Sequence, residues 1–338
     1  MVPDGHGVAT LAPLAPAEMS PAPPAGADTL ALALALARHA EAARGAYSPH
    51  TERALRADTA VFTGWCAANG FAALPAAPDT VAAFVDAMGL ARAPATVRRY
   101  VASVAAMHRA ARLPNPCVED AVRLALKRLH RARGRAQAQA APLTRDRVDR
   151  MLEAAGDGPR ALRNRALLAV AYDSLCRRSE LVALQCADLE QGSQGDGTLT
   201  LRRSKTDTEG RGSVRYLAGD TMRAVLAWSE AAGHVDGALF RSVGKAGTIG
   251  GPLDPGDVAR VFKAMAAVAG LDASVVAAIS GHSSRVGAAQ DQVRHGVELP
   301  AVMQAGGWTT PAMVARYTAR LDARRSGAAK LAMLQNRE

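Results

Sequence analysis

Three short signals stand near the C-terminal end of the sequence at a fixed spacing. His282 and Arg285 form a His-x-x-Arg; Trp308, behind Gly306 and Gly307, comes 23 residues after Arg285; Tyr317 comes nine after that. Three residues make about one helical turn, so His282 and Arg285 should share one helix face. A planar guanidinium and an imidazole on one face can grip a single phosphate from adjacent directions. An indole N–H can only donate, and a phenol becomes a nucleophile once it loses its proton. Singly these signals say little. A His-x-x-Arg is commonly helix surface, and a lone Trp or Tyr is commonly core. Their order and spacing together are what points to phosphate chemistry.

Two segments upstream complete the pattern. Asp173-Ser174-Leu175-Cys176-Arg177-Arg178-Ser179-Glu180-Leu181 holds an arginine box, and Arg202-Arg203-Ser204-Lys205-Thr206-Asp207 holds a lysine in a polar turn. At these residues the chain resembles the tyrosine recombinase (phage integrase) family, and its wording is most similar to the Cre-type site-specific recombinases. That resemblance covers roughly residue 45 to the C-terminus. It implies Arg177, Lys205, His282, Arg285, Trp308 and Tyr317 as catalytic residues, with Glu180 in support. The wider family more often has Gly before the apolar residue of the arginine box, where this chain has Ser174-Leu175-Cys176, and more often has His at the position of Trp308. Both departures occur in the Cre-type.

These residues suit attack on a phosphodiester. Charge builds on the non-bridging oxygens of a five-coordinate transition state, and the fixed forks of Arg177 and Arg285 can stabilise it. His282 and Trp308 add hydrogen bonds. Phenols ordinarily ionise near pH 10, and cations alongside favour the phenolate (about 10 in the free side chain). Lys205 on a hairpin can protonate a leaving 5′-hydroxyl as general acid. The resemblance implies a 3′-phosphotyrosyl intermediate, rejoining by another 5′-hydroxyl, and no metal or nucleotide cofactor.

The bulk composition agrees with a nucleic-acid enzyme. With 338 residues the chain suits two domains, and 49% apolar residues suffice for full cores. The net charge of +10 favours an anionic partner. Residues 91–135 hold eleven Lys and Arg against two acids, a net +9. Mixed signs are the norm on a solvated surface, so this cluster reads as a phosphate-binding face, with Arg98, Arg99, Arg109, Arg112, Lys127, Arg128 and Arg131 as candidate DNA contacts. Arg203 is either a phosphate contact or a hairpin charge. Arg260 and Lys263 either enter a major groove or face solvent. The four cysteines, Cys66, Cys117, Cys176 and Cys186, lack metal or redox spacing and suit a reducing cytoplasm. No secretory leader is evident, and the apolar run Leu30–Ala37 is far below the ~20 residues of a membrane span.

Taken in order, residues 1–27, with six prolines, read as a disordered tail. Leu30, Leu32, Leu34 and Leu36 alternate like a strand, but the Leu/Ala composition favours a helix. Further helices are expected from Ser48 to Gly70 with Ser48 as N-cap, from Pro78 to Leu90, from Ala93 to Leu113 and from Val118 to Arg133. These make residues 28–133 an all-α DNA-binding domain. Residues 134–142 form a linker, and 143–338 the catalytic domain, whose Leu143-Thr144 starts a capped helix. A helix over 162–174 should deliver Arg177. Strands at Thr198–Arg202 and Ser213–Leu217 make a hairpin with Lys205 near its tip. The remainder reads as helices near 219–231, 255–269, 283–295, 298–305, 311–321 and 326–335, with a short strand at Phe240-Arg241. The expected fold is thus mainly α with a small β-hairpin or sheet. The resemblance implies an N-terminal core-binding domain and an α+β catalytic domain forming a C-shaped DNA clamp.

The expected partner is double-stranded DNA carrying paired sites with inverted repeats, bound by a homo-tetramer that is monomeric when free, without a membrane, in the cytoplasm at the nucleoid. Two other readings stay open on sequence: a type IB topoisomerase, and a catalytically silent DNA-binding protein. The apolar positions in Ser326–Leu334 are too few for a lone helix and must dock on their own domain or on a neighbour.

Overall fold

The computed structural model describes residues 27–135, 139–203, 212–233, 235–324 and 326–337. These fall into two compact units, the first ending before residue 138. The expected tail, apart from Ala27, and Lys205 lie outside the described residues.

The first unit is helical: α1 (Ala27–Ala42), α2 (Pro49–Ala68), α3 (Pro78–Ala91), α4 (Pro94–Ala110) and α5 (Asp120–Arg133). The leucine alternation in α1 is helical, as its composition favours. Three starts carry proline in the first helical turn, where its missing N–H costs nothing. Ser48 caps α2 by accepting from the Thr51 amide at 3.2 Å. Helix α3 is apolar nearly all round and sits at the centre. Its Phe84 meets Phe62 edge-on at 5.0 Å between centroids, with Trp65 at 5.4 Å. Removing such a ring costs about 3–5 kcal/mol. The buried carboxylate of this unit is paired. Asp58 accepts both Nε and Nη2 of Arg99 at 2.8 Å and the Ser103 hydroxyl at 3.0 Å.

The second unit begins with α6 (Arg145–Glu153), α7 (Pro159–Asp173) and α8 (Arg178–Ala183). Strands β1 (Leu189–Gln191), β2 (Gly197–Leu201) and β3 (Ser213–Leu217) form an antiparallel sheet in that order. Helix α9 (Gly219–Ala232) follows, then a two-stranded sheet of β4 (Arg241–Val243) and β5 (Ile249–Pro252). The rest is helical: α10 (Pro255–Val268), α11 (Ala273–Ala278), α12 (Ser283–Arg294), α13 (Leu299–Gly306), α14 (Pro311–Arg324) and α15 (Gly327–Leu334). The core gathers Leu167, Leu168, Trp228, Phe240 and Phe262 around α7 and α9. Among the described residues no helix is long and apolar enough to cross a membrane.

Two details differ from the sequence reading. Thr144 does not cap α6 through its side chain; its hydroxyl donates instead to Asp146 at 2.5 Å. The expected linker is fastened to the second unit before it ends, because the Ala141 amide donates to the Ala278 carbonyl at 3.0 Å. Leu143 then donates to the Ser283 carbonyl at 3.0 Å, and Arg145 to Asp291 at 2.7 Å. This crossing explains Gly287: any Cβ there would lie 1.8 Å from the Leu143 oxygen. Finally, Leu331, Met333 and Leu334 of α15 are exposed within the chain.

Candidate active site

Helix α7 ends at Asp173, and the chain leaves it through a left-handed residue, Leu175, at φ +51°. A non-glycine residue there costs roughly 1–2 kcal/mol, offset by burying the leucine side chain at 1% exposure. The turn delivers Arg177 as the first residue before α8. Glu180, one turn in, holds Arg177 twice: Oε2 accepts the Arg177 amide at 2.8 Å, and Oε1 accepts Nη1 at 2.6 Å. The adjoining Cys176 thiol is sealed in the core, and burial pushes it up to about 11.

His282 stands immediately before α12, so the His-x-x-Arg straddles the helix start, with the histidine outside the first turn. The imidazole is drawn below its ordinary value of 6.5, first by partial desolvation and then by Arg285, Arg178 and Arg177. It is therefore neutral at pH 7, with one donor and one acceptor nitrogen. Arg285 is 3% exposed. Its Nη1 donates to the Leu175 carbonyl, and its Nη2 donates to the Gly306 carbonyl at 2.6 Å. The guanidinium also lies 4.5 Å from the Trp308 ring centroid and near enough to Tyr317 to feel its phenol electrostatically.

Trp308 leaves the end of α13 through Gly307, another left-handed residue at φ +59°. The indole N–H is buried and has no hydrogen-bond partner among the described residues. The ring lies 5.3 Å from that of Tyr317, which α14 contributes. The Tyr317 carbonyl is held by the side-chain amides of Gln290 at 2.9 Å and Gln139 at 3.2 Å. Leu175, Val302, Trp308 and Val314 form an apolar cluster against which Tyr317 packs.

So Arg177, Glu180, His282, Arg285, Trp308 and Tyr317 come together from four stretches of chain: the α7–α8 turn, the start of α12, the end of α13, and α14. Four neighbours were not foreseen: Gln139, Gln290, Leu175 in its left-handed role, and Arg215. On β3, Arg215 and Leu217 face inward while Val214 and Tyr216 are exposed. The alternation itself was visible, but hydrophobicity alone would turn Val214 and Tyr216 inward. A charged residue in phase with Leu217 is the one signal available.

In the first unit, Arg98, Arg109, Arg112, Lys127 and Arg131 are all exposed. Arg98 and Arg109 are eleven residues, or three turns, apart on one stripe of α4. Arg99 is engaged by Asp58, as above, and Arg128 pairs with Asp86 at 2.6 Å. In the second unit Arg203 is exposed beyond β2. Arg260 pairs with Asp257, and Lys263 donates to the Ala277 carbonyl at 2.9 Å.

The sequence pattern of the phage integrase family matches residues 142–324. The chain is also 30% identical over 298 residues to the recombinase Cre of Escherichia phage P1, covering 82% of this chain and 86% of that one. The chain belongs to the tyrosine recombinase (phage integrase) family. A second relative, an integrase/recombinase XerD homologue of Selenomonas ruminantium, is 28% identical over 279 residues, covering 79% of this chain and 81% of that one. Among solved structures, a lambda integrase tetramer bound to a Holliday junction matches with a TM-score of 0.59 at 16% identity, covering 85% of this chain and 76% of that one. The resemblance drawn from the motifs is thus borne out over most of the chain, and the helical architecture with small antiparallel sheets is this family's fold.

Proposed function

We propose that this integrase-family chain is a site-specific recombinase that cuts and rejoins double-stranded DNA through a covalent tyrosyl intermediate. The observation that carries this reading is the convergence of Arg177, His282, Arg285, Trp308 and Tyr317 at one place. In the proposed reaction the Tyr317 oxygen attacks the scissile phosphorus. The bond to the 5′-oxygen breaks, and a 3′-phosphotyrosyl bond forms. The phenol gives up one proton and the leaving oxygen gains one. Lys205, outside the described residues, is assigned as the donor of the second.

Arg177 and Arg285 stabilise the charge on the non-bridging oxygens. Each Nη of Arg285 carries two hydrogens, so bonding two carbonyls leaves donors for phosphate. Trp308 brings a buried donor without a partner among the described residues, and neutral His282 can donate without adding charge. Rejoining is the reverse attack by another 5′-hydroxyl. The assembly on DNA is a homo-tetramer across paired sites with inverted repeats, a reading supported by the tetrameric lambda integrase on its junction. Exposed Arg98, Arg109, Arg112, Lys127 and Arg131 are the proposed phosphate contacts of the first unit, and the cytoplasmic nucleoid is the proposed place of action.

The test is Tyr317→Phe on a nicked substrate that traps covalent adduct. Adduct should vanish on a denaturing gel while DNA binding persists, because only the hydroxyl is lost. Undiminished adduct would remove Tyr317 as nucleophile.

A further inference from the structure

We propose that Arg215 is a positioning residue for strand cleavage: from β3 it clamps the end of α13 and so fixes the turn that carries Trp308. The proposal rests on the recombinase reading above.

Arg215 is 7% exposed, an arginine buried where a strand normally turns an apolar side chain inward. It lies opposite Leu199 in the sheet. Its Nη1 donates to the Gln304 carbonyl at 3.0 Å. That carbonyl is in the last turn of α13, where unpaired backbone oxygens and the helix dipole favour a cation. Its Nη2 sits 2.7 Å from where a Cβ on Gly307 would stand, so the guanidinium closes over the left-handed glycine. The Gly307 amide donates to the same Gln304 carbonyl at 3.1 Å, and the Trp308 amide donates to Met303 at 2.9 Å.

The turn is therefore gripped from two sides. Arg285 holds the Gly306 carbonyl, and Arg215 holds the Gln304 carbonyl two residues earlier. Arg285 faces the phosphate site through Trp308 and Tyr317. Arg215 spends its hydrogen bond on the turn, and Arg177, Glu180 and Cys176 are the charged and polar groups close enough to act on its charge. Through Arg215, β3 anchors the Trp308 turn.

The test separates binding from chemistry. Full-length Arg215→Met keeps the aliphatic stem and removes the donors. Half-site affinity should stay within about twofold, while single-turnover cleavage at saturating enzyme should fall on the order of tenfold. Arg215→Lys, which restores one donor to the Gln304 carbonyl, should recover part of the rate. Gly307→Ala presses on the same contact without removing the arginine, so it serves if Arg215→Met fails to fold. It too should slow cleavage at unchanged affinity, and its effect should shrink in the Arg215→Lys background, where the fork it collides with is gone. Wild-type cleavage in Arg215→Met, or equal losses of affinity and cleavage, would overturn the proposal. So would strictly additive effects of Gly307→Ala and Arg215→Lys. A Tyr317→Phe control run alongside tests the recombinase reading separately, since it must lose adduct whatever Arg215 does.

Discussion

Helices α7 and α13 end in the same way and with different residues. Each chain leaves its helix through a left-handed residue, and each then presents an active-site side chain: Arg177 two residues after Leu175, Trp308 directly after Gly307. Arg285 spans both ends with one fork, taking the Leu175 carbonyl with one nitrogen and the Gly306 carbonyl with the other. The backbone demand is equal, yet one site uses leucine and the other glycine. The surroundings decide. Leu175 opens onto the apolar cluster of Val302, Trp308 and Val314, where a large side chain is rewarded. Gly307 faces the Arg215 guanidinium, where even a methyl group collides. Backbone strain is tolerated where burial offsets it and avoided where it would add to a clash.

The largest effect should come from breaking the link between the two ends. Arg285→Ala should cost about 3 kcal/mol or more of transition-state stabilisation, the scale of a lost oxyanion donor. Arg285→Lys should fare little better, because an ammonium cannot supply the bidentate fork. Single-turnover cleavage rates measure both, and near-normal cleavage by the lysine variant would mean that the bridge is dispensable.

Next in size is the glycine end. Gly307→Ala should lower unfolding stability by about 1–2 kcal/mol from backbone conformation alone. Urea midpoints at constant slope report it, and a shift below a few tenths of a kcal/mol would mean the turn adapts freely.

The leucine end gives a smaller and more discriminating contrast. Both Leu175→Ala and Leu175→Gly lose the buried side chain, but only glycine relieves the left-handed strain. The glycine variant should therefore equal or exceed the alanine variant in stability, by up to about 1 kcal/mol, against the usual preference for alanine. An alanine variant clearly the more stable would show that Leu175 is unstrained.

The smallest effect concerns Cys176, packed between the left-handed turn and Arg177. With its pKa pushed by burial to about 11, little of the thiol is ionised at pH 8. Maleimide labelling mapped by mass spectrometry should leave Cys176 unmodified in the folded chain and label it faster in Leu175→Ala. Labelling of the native protein at the denatured rate would mean that the α7 end is open.

Much of this arrangement was legible from sequence, for physical reasons that differ by element. Proline at helix starts and serine at position 48 mark backbone requirements that hold in any context, so α2, α3 and α4 begin where expected. The proposed catalytic side chains were legible because such chemistry restricts residue type at fixed spacing. Strands β1 and β5, of three and four residues, and helices α8 and α11, of six each, are too short to show a period. The left-handed state of Leu175 was invisible because leucine has no preference for it; tertiary burial imposes it. Arg215 was hidden by an alternation that can be read in either phase.

The crossing of Leu143 over α12 bears on biosynthesis. A nascent chain that has reached residue 280 holds the whole arginine box, yet the amides of Leu143 and Arg145 still lack Ser283 and Asp291 as acceptors. These closures span about 140 residues of sequence, and such long-range contacts form late because the loop entropy must be met first. The segment carrying Arg285 is the one that completes the start of the second unit. A prematurely terminated chain therefore lacks the stabilised fold and the bridging arginine together. The groups proposed to break DNA are complete only in a chain extended past α12 and on to Tyr317.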